Sequence, residues 1–372
     1  MQTRFTALVG CRLPVVQTGM GWVSGADLTA ATSAAGGFGI LAGVTMTAAQ
    51  LRDAVRQVKE RTDAPFGVNF RADQPNLDEQ VAYVVGEGVR LVSFAGAPSA
   101  AVVARCHDAG VLVVPTVGAR RHAEKVLELG VDAVIAQGGE GGGHTGSVPT
   151  SLLLPQVVDA VGGEVPVLAA GGFFDGRGLV AALAYGADGI AMGTRFLLTQ
   201  ESRVPDQVKA RYTAASVFDT VVTTALDGAP QRVIRTEVVD RIERSPRLLR
   251  LPRAALATLR FRKVTGTPLT DLVREGLAMR RNQGLTWSQV ALAANAPMLV
   301  RATMVDGRAE VGVLPTGQVT GVIEELPSVA DLLARIEHDA EATLARLGAR
   351  GRSPAEAPPE TAGDAPGEVP WT

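Results

Sequence analysis

Cysteine, histidine and aromatic residues are scarce in this chain of 372 residues. It has two cysteines and four histidines, and Phe, Trp and Tyr together make up 4%. Cys11 and Cys106 are too few for a disulfide framework and neither belongs to a CxxC pair, which excludes a cystine-stapled domain and fits a reducing cytoplasm. No run approaches the ~18 apolar residues of a membrane span. Arg4, Arg12 and Pro14 interrupt the stretch that a secretory leader would need. The net charge is −2, so neither nucleic acid nor a membrane surface is an expected partner. A P-loop lysine, a GxSxG elbow and an HExxH pair are all missing. Carboxylates and histidines do not converge at metal-ligand spacing, so no metal is expected.

What is present is a large apolar fraction, 46% against 20% charged, enough for a sizeable core. Eight short, continuously apolar runs occupy the first two hundred residues: Val15–Met20, Phe38–Leu41, Phe66–Phe70, Leu91–Gly96, Val111–Val117, Ala133–Gln137, Val167–Gly171 and Gly189–Thr194. Segments with helical spacing lie between them. Continuous rather than alternating runs suit parallel strands covered on both faces. Eight such strands, each followed by a helix, predict an α/β fold of the (β/α)8 TIM-barrel type over residues 1–204. A doubly wound open sheet is the rival. Residues 205–310 read as a smaller, mostly helical, Arg-rich subdomain over the substrate. Residues 311–348 read as a segment and amphipathic helix returning to the barrel, and 349–372 as a disordered tail.

The densest signal is Ala136-Gln-Gly-Gly-Glu-Gly-Gly-Gly-His-Thr-Gly146, where six of eleven residues are glycine. It follows a buried strand, so it reads as an irregular loop at a strand end. Its formal GxGxxG match is weak, because the strand before it is sixth in the series and Pro149 follows closely. Glycines let the backbone approach a flat or phosphorylated ligand, and His144 among them can exchange a proton near neutral pH. His107, His122 and His338 fall on presumed helices and read as surface residues.

In such barrels the site lies at the C-terminal strand ends. Those ends carry Thr18, Gly19 and Met20, then Asn69, then Gln137, Gly142 and His144, then Gly171 and Gly172, and Ala191, Met192, Gly193 and Thr194. The last two groups stand where barrels of this type bind a phosphate. A phosphate there, with a flat ring reaching toward Met20 and Asn69, suits FMN, and the amides of Asn69 and Gln137 can bond the edge of its ring. Each has a plainer reading. Gly171-Gly172 is a tight turn, Asn69 a helix cap, Gln137 a partner for loop backbone, and His144 a bond to its own loop.

Taken together, Val16-Gln-Thr-Gly-Met-Gly21, Ala35-Gly-Gly-Phe-Gly39, Phe66-Gly-Val-Asn69, the block from Gln137 to Gly146, Ala169-Ala-Gly-Gly172 and Met192-Gly-Thr-Arg-Phe196 resemble the nitronate monooxygenase (2-nitropropane dioxygenase-like) family. The resemblance spans roughly residues 5–340. It implies an FMN-dependent TIM barrel with His144 as the catalytic residue and the strand-end residues named above, Thr18 to Thr194, as the FMN shell. Members acting on nitronates usually carry Ala-Pro-Met where this chain has Thr18-Gly19-Met20. The blocks Gly172-Phe-Phe-Asp-Gly-Arg-Gly178, Val221-Val-Thr-Thr224 and Leu285-Thr-Trp-Ser-Gln-Val290 resemble most the steroid-ring CoA-thioester oxidoreductase branch, the IpdC type.

Residues 241–263 hold eight Arg or Lys against one acid, Glu243. Arg247, Arg250 and Arg253, with Gln318, are candidate substrate residues, since clustered guanidiniums can grip the phosphates of coenzyme A. A solvated cationic helix is the plainer reading. The expected activity is FMN-dependent oxidoreduction α,β to the carbonyl of a steroid-derived acyl-CoA. Nitronate oxidation with O2, FMN-dependent enoyl-thioester reduction and a non-catalytic ligand-binding barrel are the alternatives. A homodimer is the candidate assembly.

Overall fold

A computed structural model describes residues 1–74, 76–244 and 287–350, the side chains of 287–295 and 350 excepted. Eight parallel strands close into a barrel: β1 (Val15–Gln17), β2 (Phe38–Ala42), β3 (Phe66–Arg71), β4 (Leu91–Ala95), β5 (Leu112–Val117), β6 (Val134–Gln137), and then, after a two-residue strand β7 (Gly143–His144) outside the ring, β8 (Val167–Ala170) and β9 (Gly189–Met192). The ring closes through β1 on β9, with Val15 opposite Ile190 and Gln17 opposite Met192. An open sheet is thereby excluded. The strands are apolar on both faces because one face fills the barrel and the other is covered by helices.

The helices of the barrel region are α1 (Arg4–Val9), α2 (Ala26–Ala34), α3 (Ala48–Arg61), α4 (Leu77–Gly86), α5 (Ala100–Asp108), α6 (Arg120–Leu127), α7 (Thr150–Val161), α8 (Gly176–Ala184) and α9 (Thr194–Leu197). Several begin where the sequence supplies a cap: the hydroxyls of Thr47 and Ser99 and the carboxylate of Asp175 accept backbone N–H groups at the starts of α3, α5 and α8. Helix α1 closes the end of the barrel opposite the strand C-termini. Its Phe5 and Val9 join Val16, Phe38, Ile40, Leu91, Val114, Ile135 and Leu168 in one buried cluster. Arg4 is tied to Asp188 through a paired ion contact at 2.9 and 2.8 Å. Each fully buried Phe, Leu or Ile of this plug contributes roughly 1.5–3 kcal/mol of apolar burial.

After the barrel come α10 (Asp206–Thr213), β10 (Thr220–Thr223), β11 (Gln231–Ile234), α11 (Glu237–Arg244), α12 (Trp287–Met304) and α13 (Val329–Arg350). The reading of this stretch as mostly helical missed a β-hairpin. Strands β10 and β11 pair antiparallel, and β11 pairs with β7, giving a three-stranded sheet in the order β10-β11-β7. The glycine-rich loop is therefore not irregular throughout. Its Gly143 and His144 are strand residues because β11 supplies their ladder partners. Thr220-Val-Val-Thr223 is β-branched, which suits a strand, but four residues are too few to announce one. Helix α13 returns to the barrel and buries Leu332, Leu333, Ile336 and Ala340. Among the described residues no helix is long and apolar enough to cross a membrane. Arg247, Arg250, Arg253 and the tail from 351 lie outside the described residues.

Candidate active site

At the C-terminal mouth β1 ends at Gln17, and Thr18-Gly19-Met20 turn outward while the Thr18 N–H still donates to Met192 O at 3.1 Å. Gly19 passes against β3: a Cβ on it would stand 2.2 Å from Asn69 Cβ. Asn69 does not cap α4. Its Nδ2 donates to Ser93 Oγ on the next strand at 3.0 Å, which leaves its carbonyl oxygen as the group it can offer. Met20 and Thr18 in turn flank Gly193, whose Cβ would meet Met20 Sδ at 3.3 Å and Thr18 Oγ1 at 3.4 Å. Ala191 is buried in β9 opposite Val16, and Met192 is buried beside it.

The rim continues through Thr194, whose Oγ1 accepts the N–H of Gly317 at 2.9 Å. Gly142 packs on the same segment, and a Cβ there would come within 2.4 Å of Thr316 C. Gln318 N–H donates to Glu140 O at 3.0 Å. Thus the chain beyond residue 311 completes the mouth rather than lying apart from it. Gly171 and Gly172 both stand in the left-handed region, with φ of 94° and 88°. At Gly171 a side chain would also meet Gly138 O at 3.0 Å and Gly141 N at 3.2 Å, whereas Gly172 is open apart from Glu140 at 3.8 Å. Only glycine fits this pair. The result is a bare backbone edge beside α8 and α9.

Gln137, at the end of β6, donates from Nε2 to His144 O at 2.8 Å. The bond to loop backbone foreseen as its plainer role is therefore made, and its own carbonyl oxygen remains to be offered. His144 is more than a loop residue. Its Nε2 lies 2.7 Å from Asp227 Oδ2, with the imidazole side chain 64% exposed and the carboxylate 13% exposed. Asp227 sits in the hairpin loop between β10 and β11. Its Oδ1 accepts Ala229 N–H at 3.0 Å and its Oδ2 also accepts from Gln231 Nε2. Burial pushes the Asp227 carboxyl up, but the His144 bond and charge, with the Ala229 and Gln231 donors, outweigh it and hold the group below the usual carboxylate range. Arg232, next on β11, clamps the glycine loop by donating to Gly139 O at 2.9 Å and to Thr220 Oγ1 at 2.9 Å. Burial lowers its pKa against the pull of Glu140.

Glu140, near the mouth, is committed elsewhere. It accepts Thr150 N–H at 2.9 Å and Thr150 Oγ1 at 2.7 Å, at the start of α7. Burial pushes the Cys106 thiol up to about 11 and that of Cys11 up to about 12, so neither supplies a thiolate near neutral pH. His107, His122 and His338 lie exposed on α5, α6 and α13. What the mouth holds is one accessible imidazole backed by a carboxylate, two strand-end amides and a glycine edge, arranged around the open end of the barrel.

Of the candidate residues, Thr18, Gly19, Met20, Asn69, Gln137, Gly142, His144, Gly171, Gly172, Ala191, Met192, Gly193, Thr194 and Gln318 all fall on this end of the barrel, linked by the contacts above. Asp227, Gln231, Arg232 and Gly317 were not singled out from the sequence. Asp227-Gly228 between two short β-branched runs is a hairpin signal, and it was the one cue available.

The nitronate monooxygenase family model matches residues 2–339. A Mycobacterium tuberculosis protein named (3aS,4S,5R,7aS)-5-hydroxy-7a-methyl-1-oxo-octahydro-1H-indene-4-carboxyl-CoA dehydrogenase is 54% identical over 91% of this chain and 96% of its own length. A Rhodococcus jostii protein of the same name is 51% identical over 94% and 98%. Among solved structures, FabK from Thermotoga maritima superposes with a TM-score of 0.75 at 33% identity, covering 94% of this chain and 99% of that one. The closed barrel, the glycine-edged mouth and these similarities together establish that the chain belongs to the nitronate monooxygenase family and is an oxidoreductase.

Proposed function

We propose that the protein is an FMN-dependent oxidoreductase acting on the α,β bond of an acyl-CoA thioester whose acyl group is a fused bicyclic, steroid-derived ring system. The observation that carries this reading is His144, an accessible imidazole braced by Asp227 within the glycine loop of the barrel mouth. The residues fit the flavin. Gly172 and Gly193 offer backbone without side chains to a phosphate, with Thr194 opening α9 beside them. Asn69 and Gln137 offer amide oxygens to a ring edge, and Thr18 to Met20, with Gly142, form walls. Bound FMN supplies a two-electron acceptor for hydride leaving the β-carbon.

His144 takes the α-proton as the α-C–H bond breaks, and the carbon–carbon double bond forms as hydride departs. The thioester carbonyl acidifies that proton enough for a neutral imidazole. In the opposite direction the same imidazole returns it, which is the enoyl-thioester reductase alternative. Support for the substrate class comes from the two relatives above half identity, each named as a dehydrogenase of a bicyclic carboxyl-CoA. In this reading residues 1–204 hold the flavin, residues 205–310 lie on the substrate side, Arg247, Arg250 and Arg253 grip the CoA phosphates, and Gln318 faces the substrate from the returning segment.

Nitronate oxidation with O2 is the second reading, favoured by the family description. Against it stands Gly19. Nitronate-oxidising members usually carry proline there, and Asn69 fills the space a ring would take.

Anaerobic titration of the yellow protein with acyl-CoAs and with alkyl nitronates separates the readings. Bleaching of the flavin band by a bicyclic acyl-CoA, with no response to nitronates, is the expected result. Bleaching by nitronates alone, or a colourless protein, overturns it.

A further inference from the structure

We propose that Asp227 is a positioning residue that holds His144 in the tautomer protonated at Nε2, so that Nδ1 is the nitrogen that exchanges a proton with the substrate. This deepens the acid/base reading of His144 and rests on it. The argument begins with the donors around Asp227. Its two oxygens receive Ala229 N–H, Gln231 Nε2 and His144 Nε2, with only 13% of the side chain exposed. A carboxylate surrounded in this way stays ionised, and an ionised carboxylate is an acceptor only. The His144 nitrogen 2.7 Å away is therefore the N–H.

Gln231 Nε2 also lies 3.2 Å from His144 Nε2. Two donors cannot bond each other, so Gln231 acts through Asp227, fixing the carboxylate rather than the ring. No protein group among the described residues bonds Nδ1, and the side chain is 64% exposed. That leaves Nδ1 carrying the lone pair and reachable.

The fold makes the arrangement stiff. Gln231 and His144 are register partners in the β11–β7 pairing, and Thr145 N–H donates to Pro230 O at 3.1 Å. The hairpin thus sets the carboxylate and the imidazole against each other through backbone, not through long side chains. Among the described residues, Arg232, clamped on Gly139 O, and Glu140, spent on Thr150, are the charged side chains of the adjoining β11 and glycine loop.

With only four histidines, imidazole nitrogen spectra of the 15N-histidine-labelled, flavin-bound protein are readable. Wild type is expected to show His144 protonated at Nε2 and bare at Nδ1 when neutral. Asp227→Asn, which can donate to the ring, is expected to shift the population toward the Nδ1–H form. The same variant should lower kcat with the reducing acyl-CoA by on the order of 10²- to 10⁴-fold with KM little changed. In a His144→Ala background, Asp227→Asn should cost nothing further. A wild-type His144 protonated at Nδ1 overturns the proposal with no variant needed, as does an Asp227→Asn enzyme with unchanged tautomer and kcat. Normal flavin reduction by His144→Ala alone overturns the acid/base reading instead, and the spectra still decide the tautomer.

Discussion

Gly19 and Asn69 occupy each other's side-chain space: a Cβ on the first would stand 2.2 Å from Cβ of the second. The first loop of the mouth and the third strand are therefore fitted to one another, and Asn69 owes its place at the rim to the missing side chain. Gly19→Ala is expected to push Asn69 off Ser93, at a cost of ~1–3 kcal/mol from overpacking, with loss of flavin on gel filtration. Gly19→Ala combined with Asn69→Gly should recover the stability without recovering the flavin. Full flavin retention by the single variant would show that the contact is slack.

Gly171→Ala meets both a positive φ and nearby backbone atoms. Strain of about 1–3 kcal/mol follows from the dihedral alone. Since the residue edges the proposed phosphate cradle, FMN should be released at much lower dilution than from wild type, read by flavin fluorescence on serial dilution. Unaltered retention would move the phosphate elsewhere on the rim.

The carboxyl of Asp227 is held low by its donors, and this sets a pH window. A lowered carboxylate contributes stability that is fully present above its unfolded pKa of about 3.9. That stability is lost as pH falls through the lower folded value. The difference in unfolding free energy between wild type and Asp227→Asn, measured in urea from about pH 6 to pH 3, should be flat to about pH 5 and shrink below it. A difference that already decays well above that point would mean the carboxylate is not held as described.

Leu333 on α13 is fully buried and packs at Gly37, just before β2, where a Cβ would stand 3.1 Å from its Cδ1. Leu333→Ala should cost about 2–5 kcal/mol and lower Tm while leaving kcat per folded, flavin-loaded molecule unchanged. A fall in kcat at constant flavin content would instead tie the returning helix to the chemistry.

The barrel was legible because its signal is repetitive. Eight apolar runs at regular spacing each report burial on two faces, and errors in single boundaries, such as β1 ending at Gln17 rather than Met20, leave the count intact. The glycine rim was legible for a related reason, since residues such as Gly171 and Gly172 are fixed by local backbone demands. The hairpin was not. Thr220 to Thr223 and Gln231 to Ile234 are four residues each, and their partner β7 is a glycine and a histidine with no strand propensity of its own.

Composition, periodicity and the glycine-rich block by themselves pointed to eight parallel strands with His144, Asn69 and Gln137 at their C-terminal ends, and the pairing of β1 with β9 closes those strands into a barrel. Which group would stand behind His144 was decided only by tertiary structure. Asp227 is 83 residues away in sequence, and a hydrogen bond over that separation depends on β11 adding to β7, a pairing whose energy lies in the ladder and in burial, not in either segment alone.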